Sequence, residues 1–64
     1  MVKLNGESLP LGGTILLDYL TGHGYDPTRI AVERNEESVP KALYAETVLA
    51  DGDVVEIVNF VGGG

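Results

Sequence analysis

Residues 54–61, Val-Val-Glu-Ile-Val-Asn-Phe-Val, hold six apolar side chains in eight positions. Extended, one face reads Val55, Ile57, Asn59, Val61 and the other Val54, Glu56, Val58, Phe60, because successive side chains alternate across a strand. A strand with one wet face alternates more cleanly. The segment therefore predicts an interior strand whose second face is partly exposed. The expected register turns Val55 and Ile57 toward the core and leaves Val54, Val58 and Phe60 as an outer patch. The rest of the chain must supply neighbours on both edges and a cover for the inner face. With 64 residues in all, it can do so as one domain spanning 1–64.

Those neighbours can be read along the chain. Val2 and Leu4 alternate with Lys3 and Asn5, and Asn5-Gly6 is a strong two-residue hairpin signal. Ser8-Leu9-Pro10-Leu11 can return as an edge strand, since Pro10 lacks a main-chain donor. Thr14 suits a helix N-cap. Leu16 and Leu20, four residues apart and flanked by Leu17 and Tyr19, make an apolar line on the helix that follows. Gly22 or Gly24 can end it. Asp26-Pro27 predicts a single helical turn, and Ile30 and Val32 alternate with Arg29, Ala31 and Glu33 as a third strand. After a polar turn at 35–38, Val39-Pro40 is a very short edge strand. Residues 43–49 allow at most a helical turn that sends Val48 and Leu49 into the core, and Asp51-Gly52-Asp53 is a tight turn. The order is strand, strand, helix, then three strands. Burying the most apolar strand centrally sets the last strand beside the first. That α+β pattern resembles a ubiquitin-like β-grasp: a mixed sheet of four to five strands with one main helix on one face, ending in a flexible glycine tail at 61–64.

Composition excludes several classes of function. The chain has no cysteine and one histidine, so disulfide scaffolds, thiolate zinc sites and cysteine nucleophiles are absent. No apolar run is long enough to span a membrane, and residues 1–8 lack a signal-peptide core. The cytoplasm is the expected location. Net charge is −6, and residues 33–64 set seven acids against Arg34 and Lys41 alone. Such a surface repels nucleic-acid phosphates and is drawn to basic protein surfaces, although acidity also serves solubility.

Chemistry-bearing constellations are scarce. His23, in a glycine-flanked loop, has no nucleophile and acid arranged around it and reads as structural or exposed. Glu36-Glu37 and the Asp51/Asp53 pair lack the spacing of a calcium loop and read as solvated turn residues. Gly12-Gly13-Thr14 before a helix lacks the Gly-x-x-x-x-Gly-Lys phosphate motif. The remaining feature is Gly62-Gly63-Gly64. Three residues without Cβ atoms make a chain thin enough for a narrow channel in another protein. A terminal carboxylate on Gly64 is ionised at neutral pH and can attack the α-phosphate of ATP. A frayed end or a cut linker fits the composition equally well.

Arg29-Ile30-Ala31-Val32-Glu33, Val39-Pro40, and the run from Leu49-Ala50-Asp51-Gly52-Asp53 through Phe60-Val61-Gly62-Gly63-Gly64 resemble the thiamin-biosynthesis sulfur carriers of the ThiS family. The likeness covers essentially the whole chain, including its length. Related molybdopterin sulfur carriers are usually longer, with prolines before their Gly-Gly. One departure is Glu36-Glu37, where the family often has Asn-Gly at a hairpin tip. The resemblance implies a carrier without catalytic residues, metal or tightly bound cofactor. An E1-like adenylyltransferase would activate Gly64 with ATP. A sulfur donor such as a cysteine desulfurase would convert it to a thiocarboxylate, and thiazole synthase would take the sulfur. Gly62 and Gly63 would thread the partners' active sites. Val54, Val58 and Phe60 would dock on partner surfaces, with Glu56 steering the approach. A sulfur carrier of another pathway (molybdopterin, tRNA thiolation or cysteine synthesis) or a ubiquitin-like protein modifier would share these features.

Overall fold

Asn5 and Gly6 take φ angles of 49° and 84°, the pair of positive values a type I′ turn requires. The chain thereby reverses in two residues, and β1 (Val2–Leu4) pairs antiparallel with β2 (Glu7–Leu9), Leu4 opposite Glu7. β2 stops just before Pro10, as a missing donor dictates. The computed structural model describes residues 1–60.

The helix α1 (Leu16–Gly22) buries Leu16, Tyr19 and Leu20, so the expected apolar line is the one that faces the sheet. It ends in a Schellman arrangement. Gly24 adopts φ 80°, and the Tyr25 N–H reaches back to the Leu20 carbonyl at 2.9 Å. Its start differs from expectation. Ile15, not Thr14, is the N-cap, and no side chain caps the helix. Residues 13–15 instead lie against 47–49: Gly13 N–H donates to the Leu49 carbonyl, Leu49 N–H to the Thr14 carbonyl, and Ile15 bridges Val48. This brings the carbonyls of Thr47 and Tyr44 to the free N–H groups of Leu16 and Leu17, at 2.8 and 3.0 Å. Main chain from a distant loop does what a side-chain cap would have done.

Asp26 then caps a 3-10 turn at Pro27–Arg29, accepting from both the Thr28 N–H and its hydroxyl. β3 (Ile30–Arg34) and β4 (Glu37–Val39) form a second hairpin, with Val32 opposite Val39. β4 is longer and earlier than the Val39-Pro40 strand expected, because Asn35 and Glu36 alone make the reversal, at φ 53° and 70°. A 3-10 turn at Lys41–Leu43 follows. β5 (Val54–Asn59) closes the sheet.

The strand order is β2-β1-β5-β3-β4. β5 lies at the centre, parallel to β1 and antiparallel to β3, and α1 covers one face. The core joins Val2, Leu4, Leu16, Tyr19, Leu20, Ile30, Val32, Tyr44, Leu49, Val55 and Ile57. Val48 is 50% exposed, contrary to expectation, because the bridge to Ile15 turns Leu49 rather than Val48 inward. Tyr44 takes the inner place. This is the β-grasp that the order of elements implied.

Candidate functional site

β5 alternates as its position demands. Val55 and Ile57 are buried, while Val54, Val58 and Phe60 are 46%, 55% and 59% exposed. Glu56 stands exposed in the same outer row. Each is set by ladder register: Val54 beside Lys3, Glu56 beside Glu33, Val58 beside Ala31. Phe60 lies one residue past the strand, yet its N–H still donates to the Arg29 carbonyl at 2.8 Å. The sheet therefore holds the chain up to that point. The outer row is an apolar stripe interrupted by two carboxylates directly opposite each other, an arrangement that costs a little stability. Gly62, Gly63 and Gly64 lie outside the described residues.

A clasp at the start of β5 fixes where the strand begins. Asp53 is only 7% exposed and accepts from Arg34 Nε at 2.8 Å, Asn35 Nδ2 at 3.1 Å and the Ala50 N–H at 2.9 Å. The Asn35 side-chain oxygen takes the Val54 N–H at 2.9 Å. Burial pushes the Asp53 carboxyl upward, but the bonds from Ala50, Asn35 and Arg34, with the guanidinium charge, outweigh it and hold the pKa below the usual aspartate value. Asp53 is thus a buried structural acid and not the solvated turn residue its sequence context suggested, whereas Asp51 is exposed. At the other edge Asn5 performs a similar task, its side-chain oxygen accepting from the Ile57 N–H at 2.7 Å. Neither role was legible locally, since Arg34 and Asn35 lie 19 and 18 residues from Asp53 and Ile57 lies 52 from Asn5.

Other candidates resolve as structure. His23 stacks on Tyr19 with ring centroids 4.1 Å apart, and its Nδ1 lies 3.0 Å from the Tyr19 carbonyl. Among the described residues no group of three or more His, Asp or Glu gathers to hold a metal, and no buried side-chain polar atom lacks a partner. No described helix is long and apolar enough to cross a membrane.

A model of the ThiS family matches residues 2–64. The chain belongs to the ThiS family. It is 43% identical over 67 residues to the sulfur carrier protein ThiS of Bacillus subtilis, each chain covered completely. It is also 45% identical over 62 residues to a thiazole synthase of Paramagnetospirillum magneticum, with 95% of this chain covered but only 19% of that protein. The chain thus spans about a fifth of the length of the thiazole synthases it matches. Among solved structures, the crystal structure of the thiamine biosynthesis protein ThiS from Geobacter metallireducens superposes with a TM-score of 0.76. Its sequence identity is 25%, and the match covers 98% of this chain and 97% of that one. In this chain Val54, Glu56 and Val58 form the outer row of the central strand, and Phe60 follows one residue beyond its end.

Proposed function

We propose that this chain is the sulfur carrier for thiazole formation in thiamin biosynthesis, acting in the cytoplasm as a co-substrate and not as an enzyme. The observation that carries this reading is the end-to-end match to a sulfur carrier protein of the same size. The likeness to thiazole synthases favours the thiazole branch over other sulfur-carrying pathways. The geometry supplies a reason for the design. β5 is paired with β3 along its length and with β1 at its start, where the Asp53 clasp also holds it, so the strand that precedes residues 61–64 in sequence is firmly anchored.

The Gly64 carboxylate attacks the α-phosphorus of ATP in the active site of an E1-like adenylyltransferase. A C–O–P linkage forms and pyrophosphate leaves. The outer sulfur of a persulfide, loaded by a donor such as a cysteine desulfurase, displaces AMP to give an acyl disulfide. A second thiol cleaves its S–S bond, leaving a disulfide on the donor side and the thiocarboxylate on Gly64, which gives up its sulfur in thiazole synthase. Glycine suits this place because it sets no Cβ against the attacking sulfur or the channel wall. Gly62 and Gly63 thread the channel, while Val54, Val58 and Phe60 rest on the partner and Glu56 steers it. ATP belongs to the activating enzyme.

The test is mass spectrometry after incubation with the adenylyltransferase, ATP and a sulfur source. The natural chain should exchange one oxygen for sulfur. A chain lacking Gly64, or carrying one residue beyond it, should not, while keeping its thermal midpoint. An unchanged mass with a proven active enzyme would overturn the reading.

A further inference from the structure

The register of β5 leaves part of one strand edge bare. The Asn35 N–H donates to the Val54 carbonyl at 2.7 Å and the Phe60 N–H to the Arg29 carbonyl at 2.8 Å, with Ala31 opposite Val58 between them. Main-chain groups of alternate residues point to opposite edges of a strand. Those of Val54, Glu56, Val58 and Phe60 therefore point at β3, and those of Val55, Ile57 and Asn59 point at β1. β1 answers only the first of these fully. The Asn5 N–H meets the Val55 carbonyl at 2.9 Å, and the Asn5 side chain meets the Ile57 N–H. The chain then turns back at Gly6. The Ile57 carbonyl and both main-chain groups of Asn59 have no partner among the described residues. Asn59 and Phe60 are exposed.

Acceptor, donor, acceptor along one edge is the pattern that another extended main chain matches group for group. The bare segment ends at Asn59, two residues before Val61 in sequence, which places an enzyme that receives the tail next to it. Resting on the carrier reading above, we propose that an extended segment of the activating adenylyltransferase adds to β5 as a strand at Ile57–Asn59. It occupies the place beside β5 that β1 leaves where it turns back at Gly6. The exposed side chains of Val58 and Phe60 give the incoming segment an apolar border on the outer face.

The chain is short enough for chemical synthesis, which allows the Asn59 amide to be replaced by an ester, deleting that one N–H. Amide exchange by NMR on the natural chain, alone and with the adenylyltransferase, provides a second readout that needs no variant. The Asn59 N–H should exchange at least about tenfold more slowly in the complex. The ester should bind about two- to tenfold more weakly, the worth of one hydrogen bond, and its thermal midpoint should fall only by the weakening of the Val58 carbonyl, now an ester acceptor facing Ala31 on β3. An ester at Val58, whose N–H faces β3, should instead destabilise the domain. The proposal is overturned if the Asn59 N–H exchanges equally fast in the complex, or if the natural chain forms no complex. Mass analysis of the same samples separates the two claims. Sulfur transfer with Asn59 unprotected removes strand addition and leaves the carrier reading. Protection of Asn59 without sulfur transfer does the reverse.

Discussion

Asn35 and Glu36 share one turn and one sign of φ, yet their chemistry differs. Asn tolerates the left-handed region, and here its side chain also bonds Asp53 and the Val54 N–H. Glu36 has φ 70°, is exposed and, among the described residues, makes no hydrogen bond through its side chain that would offset the strain, which is about 1–2 kcal/mol for an L-residue. Replacing Glu36→Gly relieves that strain and loosens the unfolded chain. The net expectation is about 0.5–1 kcal/mol of added stability and a thermal midpoint several degrees higher. Asn35→Gly should move the other way, since it discards two hydrogen bonds. A calorimetric scan of both variants checks the opposed signs. Equal shifts would mean that turn strain is not what separates them.

The clasp around Asp53 operates between elements, tying the β3–β4 hairpin and the 50–53 turn to the start of β5. Asp53→Ala leaves three donors without their acceptor, which should cost about 2–3 kcal/mol in urea unfolding. Its pH behaviour follows from the lowered carboxyl pKa. The stabilisation is complete above the pKa of an unfolded aspartate, about pH 4, and drains away as pH falls through the lower folded value. The urea midpoint should therefore decline below about pH 4, and less steeply in Asp53→Asn. Asp26, held low by its bonds to Thr28 and by Arg29, contributes in the same direction and remains in the variant. This scale also separates what could be read from the chain. The strands were legible because Val2/Leu4, Ile30/Val32 and Val55/Ile57 carry their own alternation, and the Asn5-Gly6 turn carries its own dihedral preference. The helix start, Tyr44 and Asp53 were not, because each is decided by pairing with a segment far along the chain, as Leu16 with Thr47 and Leu17 with Tyr44, or by a neighbouring hairpin. The direction of Val54, Val58 and Phe60 followed from one parity choice, and the tail's role rests on resemblance.

At the scale of the whole molecule, acidity has a location. Glu33 and Glu56 oppose each other across β3 and β5 on the outer face, within a chain of net charge −6. Glu56→Lys should hold or raise stability by about 0.2–1 kcal/mol by turning a like-charge pair into an attractive one. The same change should slow association with the adenylyltransferase at low salt, and the difference should shrink as added salt screens it. Stopped-flow binding at two ionic strengths reads both effects, and unchanged association at low salt would remove the steering role from Glu56. The parallel pairing of β1 with β5 has a further consequence, in the cell's timing. The rung between Asn5 and Ile57 joins residues 52 apart, and the central strand is the last of the five to leave the ribosome. A nascent or broken chain lacking residues 54–59 has two hairpins and a helix with nothing between them, and local contacts alone cannot stand in for that missing middle. Folding is thereby a form of inspection: a chain that completes the sheet carries the strand that leads to the glycines, and a chain cut short of residue 54 cannot complete it.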